Sequence, residues 1–357
     1  MKNILHNAGL PILFLLSSVT LKNGDGQWRI VQTKNEIPNR GECGMASCNG
    51  KLYLLGGGAL STQSFDPATL SWSARAAVPV DMNHFQPVSY QHKIYVLEAF
   101  TAGVYPNQPN LKTVYIYDTD KDSWLQGGHL PEDRRRAAAG AALYNGKLYL
   151  VAGIQHGHST GTTNMFDEYD PQTGRWKVLP DAPHIRDHCT AAVVKDKLYV
   201  VGGRNTSYHE PGNFMSFFGK TVLETDCYDF ATGRWSTLTA KLPLGSGGGA
   251  MVNLHDQLYY MGGERATDTA ANRPRADVFR FDPSDNEGWK KIADLNEARN
   301  GTSAAVLNNK IYVFGGAGPK TPPMPDGPGT NQTRNQPPPP PPAGRHAPSP
   351  LEMFSIQ

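Results

Sequence analysis

Four arginines recur at one fixed position of a repeating pattern. Arg40, Arg136, Arg186 and Arg299 each lie eleven residues before a lysine that begins a Lys-Leu-Tyr or Lys-Ile-Tyr segment. A planar guanidinium can bind a carboxylate through two parallel hydrogen bonds, each of which contributes roughly 1.5–3 kcal/mol. The pattern therefore predicts a cationic surface that binds an acidic ligand. The alternative is that these arginines pair with a neighbouring repeat or with loop carbonyl groups.

Histidines occupy the same region of the repeats. His84 and His188 lie two residues after the positions equivalent to these arginines, and we predict that they bind the ligand together with them. His156 and His158 form a His-x-His motif, which near another histidine could hold zinc or copper. The spacing matches no known ligand pattern, however, and glycine-rich surface loops often carry unrelated histidines. The sequence therefore predicts no metal site and no cofactor.

These residues are positioned by a unit of about fifty residues, whose clearest copy spans residues 136–176. Asn145 and Gly146 separate two apolar runs in this copy. Asn-Gly between such runs favours a β-hairpin, because both turn residues tolerate positive φ. Two further runs are separated by a turn that begins at Asp170 and Pro171, and proline cannot donate to a ladder of strands. The unit is therefore predicted to be one sheet of four short antiparallel strands.

Copies of this unit fill the chain. The segment that forms its second strand begins at Lys51, Lys93, Lys147, Lys197, Gln257 and Lys310. The tryptophans fit the opening of the fourth strand and are Trp28, Trp72, Trp124, Trp176, Trp235 and Trp289. This pattern resembles that of the kelch-repeat family. The resemblance implies a β-propeller with one four-stranded blade per repeat.

The two ends of the chain complete the last blade. Trp28 has no Lys-Leu-Tyr strand before it, and the last such strand, at Tyr312, has no tryptophan after it. Residues 351–356 have the pattern of a third strand, so residues 27–31 must supply the fourth. The sequence predicts an all-β, six-bladed kelch propeller with four antiparallel strands per blade. The N-terminal strand closes the last blade and leaves no open edge.

One face of the predicted propeller carries the long connections. They leave from the ends of second strands at residues 99–111, 154–164, 204–221, 264–276 and 317–349. The first strands begin on the same face, next to the arginine and histidine positions. Loops on one face of a rigid scaffold are where binding residues usually lie. We therefore predict a recognition module for an acidic small molecule, carbohydrate or protein partner.

The fifth repeat supports an alternative function. Glu264 follows a glycine pair, and after a loop Arg275 opens the next strand. The segment resembles the glutamate-and-arginine segment of the secreted six-bladed kelch group that contains the bacterial sialic-acid mutarotases. The resemblance implies an enzyme acting on an acidic sugar, in which Glu264 and Arg275 are catalytic as the acid–base group and the carboxylate-binding cation. A salt bridge between the two residues is the other explanation.

The N terminus predicts export. Lys2 precedes an apolar stretch at residues 10–16 and then small residues, which is typical of a signal peptide and too short to span a membrane. We assign residues 1–22 to a signal peptide, 27–357 to the propeller and 317–349 to a proline-rich insertion in the last blade. A secreted or periplasmic location follows.

The net charge bears on the class of partner, and the cysteine count bears on disulfide content. The 357 residues include 34 Lys and Arg against 32 Asp and Glu, a net charge of +2. This balance favours neither nucleic acid nor a membrane surface as partner. We expect no nucleic-acid partner, no stable membrane insertion and a monomer. The four cysteines form no disulfide framework, and we expect buried free thiols.

Overall fold

Six four-stranded sheets make up the structure. The computed structural model describes residues 26–267, 270–285, 287–316 and 350–356. These residues contain 24 β-strands, arranged in six sheets of four. The prediction of an all-β, six-bladed propeller is confirmed. Within the described ranges, no helix is both long and apolar enough to cross a membrane.

Each sheet is one blade, and the strands are numbered in chain order. Blade 1 contains β2 (Gly44–Cys48), β3 (Lys51–Leu55), β4 (Thr62–Asp66) and β5 (Ser71–Arg75). Blade 2 contains β6 (Val88–Tyr90), β7 (Lys93–Val96), β8 (Thr113–Asp118) and β9 (Ser123–His129). Blade 3 contains β10 (Gly140–Tyr144), β11 (Lys147–His156), β12 (Thr160–Asp170) and β13 (Arg175–Leu179).

The second half of the propeller follows the same order. Blade 4 contains β14 (Asp187–Val194), β15 (Lys197–Arg204), β16 (Asp226–Asp229) and β17 (Arg234–Thr237). Blade 5 contains β18 (Gly247–Leu254), β19 (Gln257–Thr267), β20 (Ala270–Phe281) and β21 (Lys290–Arg299). Blade 6 contains β22 (Ser303–Leu307), β23 (Lys310–Phe314), β24 (Glu352–Ser355) and β1 (Gln27–Ile30). Two 3₁₀ helices lie in connections, at Glu132–Arg134 and Phe214–Gly219.

The N-terminal strand closes the ring of blades. β1 pairs antiparallel with β24 and places Trp28 opposite Phe354. The two aromatic rings are 5.3 Å apart, and Trp28 is buried against the core between blades 5 and 6. The strand covers an edge of β24 that would otherwise be free to pair with another chain. The predicted closure by the two termini is therefore confirmed.

The second strands build the core between blades. Successive side chains of a strand point to opposite faces, so the leucine and the tyrosine of the repeated segment pack on different neighbours. In β3, Leu52 belongs to a cluster with Phe314 of blade 6, whereas Tyr53 packs with Tyr117 of blade 2. Both faces of this strand are therefore buried, which fixes each blade between its two neighbours.

Two of the predicted long loops are β-hairpins. The connections predicted at residues 154–164 and 264–276 continue the second and third strands beyond the blade, so that β11 extends to His156 and β12 begins at Thr160. The ladder shifts register between Val151 and Gly153, and Gly153 has a φ of 108°. A glycine bulge of this kind re-aims a strand without ending its pairing.

The remaining predictions concern two segments of the chain and its cysteines. The predicted signal peptide, residues 1–22, lies outside the described residues, and so does the predicted insertion, residues 317–349. The predicted thiol state is confirmed. All four cysteines are free and buried: Cys43, Cys48, Cys189 and Cys227.

Candidate functional site

The predicted ligand-binding arginines are buried inside their blades. In blade 3, Arg136 is 1 % exposed, and its Nη1 lies 2.8 Å from Asp167 Oδ2. In blade 4, Arg186 Nη2 donates to Asp226 Oδ2 at 2.6 Å, and both side chains are fully buried. A guanidinium held by a buried carboxylate in its own blade has few donors left for a ligand.

Arg299 and Arg40 have the same role in blades 6 and 1. Arg299 Nη2 donates to Glu352 Oε1 at 2.7 Å. Arg40 Nη2 donates to the side chain of Gln63, and its Nη1 donates to the Gly56 carbonyl at 3.2 Å. Each arginine therefore ties the start of its blade to the second or third strand. A ligand-binding role for the four arginines stays a prediction, and they lie apart from the site described next.

The residues two positions after the arginine positions form a ring around the central channel, which we call the mouth ring. Its members, all with φ between 51° and 66°, are Glu42, His84, Ala138, His188, Gly248 and Gly301. Backbone hydrogen bonds join neighbouring blades: Ala138 N donates to His84 O at 2.8 Å, and His84 N donates to Glu42 O at 2.9 Å. Left-handed backbone costs a non-glycine residue about 1–2 kcal/mol. The inter-blade bonds offset this cost and hold the ring.

A small cavity lies at the mouth ring. Its volume is about 90 Å³. The first strands of all six blades and the turns before them line it, through residues that include Met45, Gln86, Ala139, Thr190, Ala250 and Ser303. The cavity therefore sits on the axis of the propeller, where side chains from every blade can meet.

Three histidines meet at the mouth ring, and we call them the histidine cluster. His84 and His188 belong to the ring, whereas His158 reaches it from the tip of the β11–β12 hairpin. One ring nitrogen from each lies within 4.8 Å of the other two, and the Nε2 atoms of His84 and His158 are 3.2 Å apart. The structure thus assembles a potential metal-ligand group, although the sequence predicted no metal site.

Each imidazole of the cluster is oriented through its Nδ1 atom. Nδ1 lies within hydrogen-bonding distance of a side-chain oxygen in the pairs His84–Asn83 (2.7 Å), His158–Gln108 (3.1 Å) and His188–Asp187 (2.6 Å). An oxygen acceptor at Nδ1 requires the proton on that nitrogen. In a neutral imidazole the Nε2 atom then presents a lone pair. The Nε2 lone pairs of His84 and His158 face each other across 3.2 Å.

The environment keeps the cluster neutral. Burial, the neighbouring imidazoles and the Arg204 charge hold the pKa of His84 and of His158 well below the ordinary value. Burial and Arg204 also lower the pKa of His188, although Asp187 opposes them. A neutral imidazole is the form that binds a metal ion or accepts a hydrogen bond.

Contacts with blades 2 and 4 fix the tip of the β11–β12 hairpin. His158 N donates to the Pro106 carbonyl at 2.6 Å, and His209 Nε2 lies 2.8 Å from the Ser159 carbonyl oxygen. Gly157 has a φ of 58°, and a Cβ at this position would overlap the Pro106 carbonyl. Only glycine fits here, so the local sequence of the tip positions His158.

Two further charged groups border the cluster. Arg204 Nη1 donates to Glu264 Oε1 at 2.6 Å, and the guanidinium lies 4.7 Å from the centroid of the Phe218 ring. Glu42 Oε1 lies 3.5 Å from His84 Nε2. Burial and the Glu264 carboxylate, opposed by Arg204, raise the pKa of Glu42 to about 8. Near pH 7 the mouth therefore contains a neutral carboxyl group and a charge-balanced pair.

The alternative catalytic residues have separate partners. Glu264 Oε2 accepts from Asn272 Nδ2 at 2.8 Å and from Asn300 Nδ2 at 2.6 Å, in addition to the bond from its arginine partner. Arg275 Nη2 lies 2.6 Å from Asp277 Oδ2. In the part of the chain that the structure describes, no hydrogen bond or ion pair joins Glu264 to Arg275. Glu264 borders the histidine cluster, and the structure does not bring Arg275 to it.

Comparison with known proteins identifies the family. Residues 84–316 match the KLHDC2/KLHL20/DRC7 Kelch-repeats domain, which is more than half of the chain. The chain belongs to the kelch-repeat family. The solved structure titled "Structure of YjhT" shares the fold of this kelch chain, with a TM-score of 0.68 at 17% identity. That match covers 81% of this chain and 93% of the other.

Kelch relatives of this chain include longer proteins. Kelch-like protein terF from Aspergillus terreus is 28% identical over 263 residues, which cover 71% of this chain and 54% of that protein. Kelch-like protein 25 from Xenopus tropicalis is 30% identical over 249 residues, which cover 68% of this chain and 38% of that protein. The chain therefore matches about half the length of these relatives or less.

The sequence identified one part of this kelch site and missed another. His84 and His188 were predicted as ligand-binding residues, and the structure brings them together with His158. Arg204 was missed. It follows the glycine pair of its repeat, as Glu264 follows that of the next repeat. Residues of opposite charge at this shared position of adjacent blades were the signal that could have revealed the pair.

Proposed function

We propose that this kelch propeller binds a small hydroxyl-rich ligand of carbohydrate type at the mouth ring. The observation that carries the proposal is a pair of unused acceptors beside the ring. Among the described residues, the Oδ1 atoms of Asn272 and Asn300 are buried without a hydrogen-bond partner. Leaving a buried acceptor unpaired costs about 1–3 kcal/mol. A small rotation of these amides towards the mouth would let ligand hydroxyl groups satisfy both atoms.

Space and enclosure at the mouth support a small ligand. Ala138, Gly248 and Gly301 occupy half of the mouth ring with little or no side chain, next to the cavity. Tyr105 and His158, from the connections of blades 2 and 3, pack together over the same region with ring centroids 5.2 Å apart. A concave site with a few convergent polar groups is typical of small-molecule binding. We therefore favour a small molecule over a protein partner.

The charge of the mouth supports a neutral ligand rather than an acid. Glu264 balances the charge of Arg204. Although burial opposes it, hydrogen bonding from His188 and the charge of Arg204 lower the pKa of Asp187, which therefore stays ionised. A carboxylate on the ligand would add a second negative charge to this region. The preference for an acidic ligand rested on arginines that lie inside the blades.

We favour recognition over the acidic-sugar enzyme. That activity would need an acid–base group and a free cation at one site. Glu264 and Arg275 are each engaged with other partners. Export of the protein, which was predicted from residues 1–22, stays a prediction.

Calorimetric titration with four sugars tests the proposal. The probes are galactose and N-acetylglucosamine, which are neutral, and glucuronate and N-acetylneuraminate, which are acidic. We expect at least one neutral sugar to bind, and Asn300→Ala to weaken its binding about tenfold by removing one hydrogen bond. The matched control is Asn49→Ala, whose amide lies exposed on the opposite face, at the β2–β3 turn.

Two results would contradict the proposal. If no neutral sugar binds, the ligand class is wrong, and binding of the acidic sugars alone would restore the acidic-ligand prediction. If Asn300→Ala binds a neutral sugar as tightly as the wild type does, the site lies elsewhere.

A further inference from the structure

The histidine cluster has the geometry of an empty ligand set. The Nε2 atoms of His84 and His158 lie 3.2 Å apart. Tetrahedral zinc with zinc–nitrogen bonds of about 2.0–2.1 Å separates two ligand nitrogens by about 3.4 Å. The third histidine, His188, places a ring nitrogen within 4.8 Å of both. One ion could therefore contact all three nitrogens after a small closure of His188.

The hydrogen bonds at Nδ1 leave electron-rich atoms facing one another in the cluster. With the protons on Nδ1, the Nε2 lone pairs of His84 and His158 face each other at hydrogen-bonding distance without a proton between them. Among the residues that the structure describes, His188 Nε2 is buried and has no hydrogen-bond partner. Buried polar atoms are seldom left unpaired. A cation bound by all three nitrogens would account for the facing Nε2 atoms of His84 and His158 and for the unpaired Nε2 atom of His188.

Asp187 provides an independent indication. Its carboxylate is fully buried and accepts from Thr162, Thr206 and His188. Within the described ranges its one ion-pair partner is His188. A histidine that donates its second ring nitrogen to a carboxylate and binds metal through the first is a common arrangement, and the carboxylate increases the basicity of the ligand. A metal ion on His188 would add positive charge next to this buried carboxylate.

We propose that His84, His158 and His188 bind a divalent transition-metal ion, with a fourth coordination position open towards the cavity. Imidazole ligands suit zinc and copper, and three histidines with one open position are typical of a site that can bind an exchangeable molecule. Glu42 Oε1 lies 3.5 Å from His84 Nε2 and therefore borders the proposed ion. The inference shares its location with the proposed sugar site. The charge argument for a neutral sugar applies to the metal-free chain, and the metal proposal stands whichever ligand binds.

Titration of the chelator-treated full-length chain with Zn²⁺ alone tests this inference. We expect one ion per chain in calorimetry, and we expect His188→Ala to weaken its binding by roughly 100-fold or more, since it removes one of three ligands. Asp187→Asn keeps the ligands and loses only the charge behind His188, so we expect a loss of roughly 10–100-fold. The matched control is His92→Ala, whose imidazole is exposed on the opposite face.

A second measurement needs no variant. Co²⁺ added to the chelator-treated wild-type chain should give the visible absorption of a tetrahedral ion, and Zn²⁺ should abolish it. The inference is overturned if the wild type binds no Zn²⁺, if His188→Ala binds as the wild type does, or if Co²⁺ shows only its hydrated spectrum. Sugar binding by the chelator-treated chain would in that case leave the proposed function standing.

Discussion

Replacing Asp226 with asparagine should separate the two roles considered for the arginines. Asp226 Oδ2 accepts from Arg186 Nη2 at 2.6 Å, and both side chains are fully buried. Removing one partner of a buried ion pair leaves an uncompensated charge and costs about 3–5 kcal/mol. We therefore expect Asp226→Asn to lower the free energy of unfolding by about this amount.

The same strand offers a matched control. Asp229 pairs with Lys197 at 2.9 Å, but the two side chains are 28% and 47% exposed. An exposed pair contributes about 0–1 kcal/mol. In Asp229→Asn the remaining side-chain oxygen can still accept from Ala231 N, as it does in the wild type. We expect a loss below about 1 kcal/mol in this variant.

Urea unfolding followed by tryptophan fluorescence measures both losses. A change in the midpoint at constant slope reports stability alone. Equal and small losses in the two variants would refute the structural role of Arg186. If Arg186 binds an acidic ligand instead, Asp226→Asn should leave stability nearly unchanged and strengthen the binding of glucuronate, since the arginine would lose its competing partner.

Three further predictions follow from the fold. Trp28→Ala should lower the free energy of unfolding by about 3–5 kcal/mol, because a buried indole in the closing strand is lost; urea unfolding measures this, and a loss below about 1 kcal/mol would mean that β1 does not close blade 6. Gly157→Ala should displace the hairpin tip and weaken Zn²⁺ binding by roughly tenfold in calorimetry. Its control is Gly50→Ala, where φ is also positive (73°) but the added Cβ meets no neighbouring atom, and equal affinities in the two variants would contradict the prediction. Burial raises the pKa of Cys43 to about 12, so this thiol should not react with DTNB at pH 8 until the protein unfolds, and mass spectrometry of the labelled peptide would detect any exception.

The fold could be predicted from the sequence because the signals for each blade lie within one repeat, and because the patterns near the two ends show how the last blade is completed. Each blade carries its own turn and strand signals, and the unpaired Trp28 and Tyr312 segments determined the closure. The arginine partners were also present in the repeats but were overlooked. Counted three residues back from the end of the third-strand motif (Asp66, Asp118, Asp170, Asp229, Asp282 and Ser355), the blades with arginine carry a polar or acidic residue: Gln63, Asp167, Asp226 and Glu352. The blades with Met82 and Ser246 carry Tyr115 and Phe279 there, so the pairing could have been inferred.

The histidine cluster could be inferred only in part. His84 and His188 share a repeat position, which the spacing shows directly. His158 comes from a hairpin whose length depends on the bulge at Gly153 and whose tip depends on contact with Pro106 in another blade. Such contacts between blades leave no periodic trace, because each joins two particular insertions. The sequence therefore supplied the two ring histidines and the His-x-His motif that contains His158, but it did not show that the hairpin tip brings His158 onto the other two.

In the mouth ring, the backbone geometry does not determine which side chain a position carries. The same left-handed turn and the same bonds between blades accommodate glutamate, histidine, alanine and glycine. Exchanging one of these residues for another changes what faces the axis at a backbone cost of only about 1–2 kcal/mol. Such a scaffold can acquire or lose a binding specificity by point substitution at six symmetric positions, without first solving a new folding problem. Duplication of a blade unit supplies the positions, and later divergence decides which of them carry chemistry.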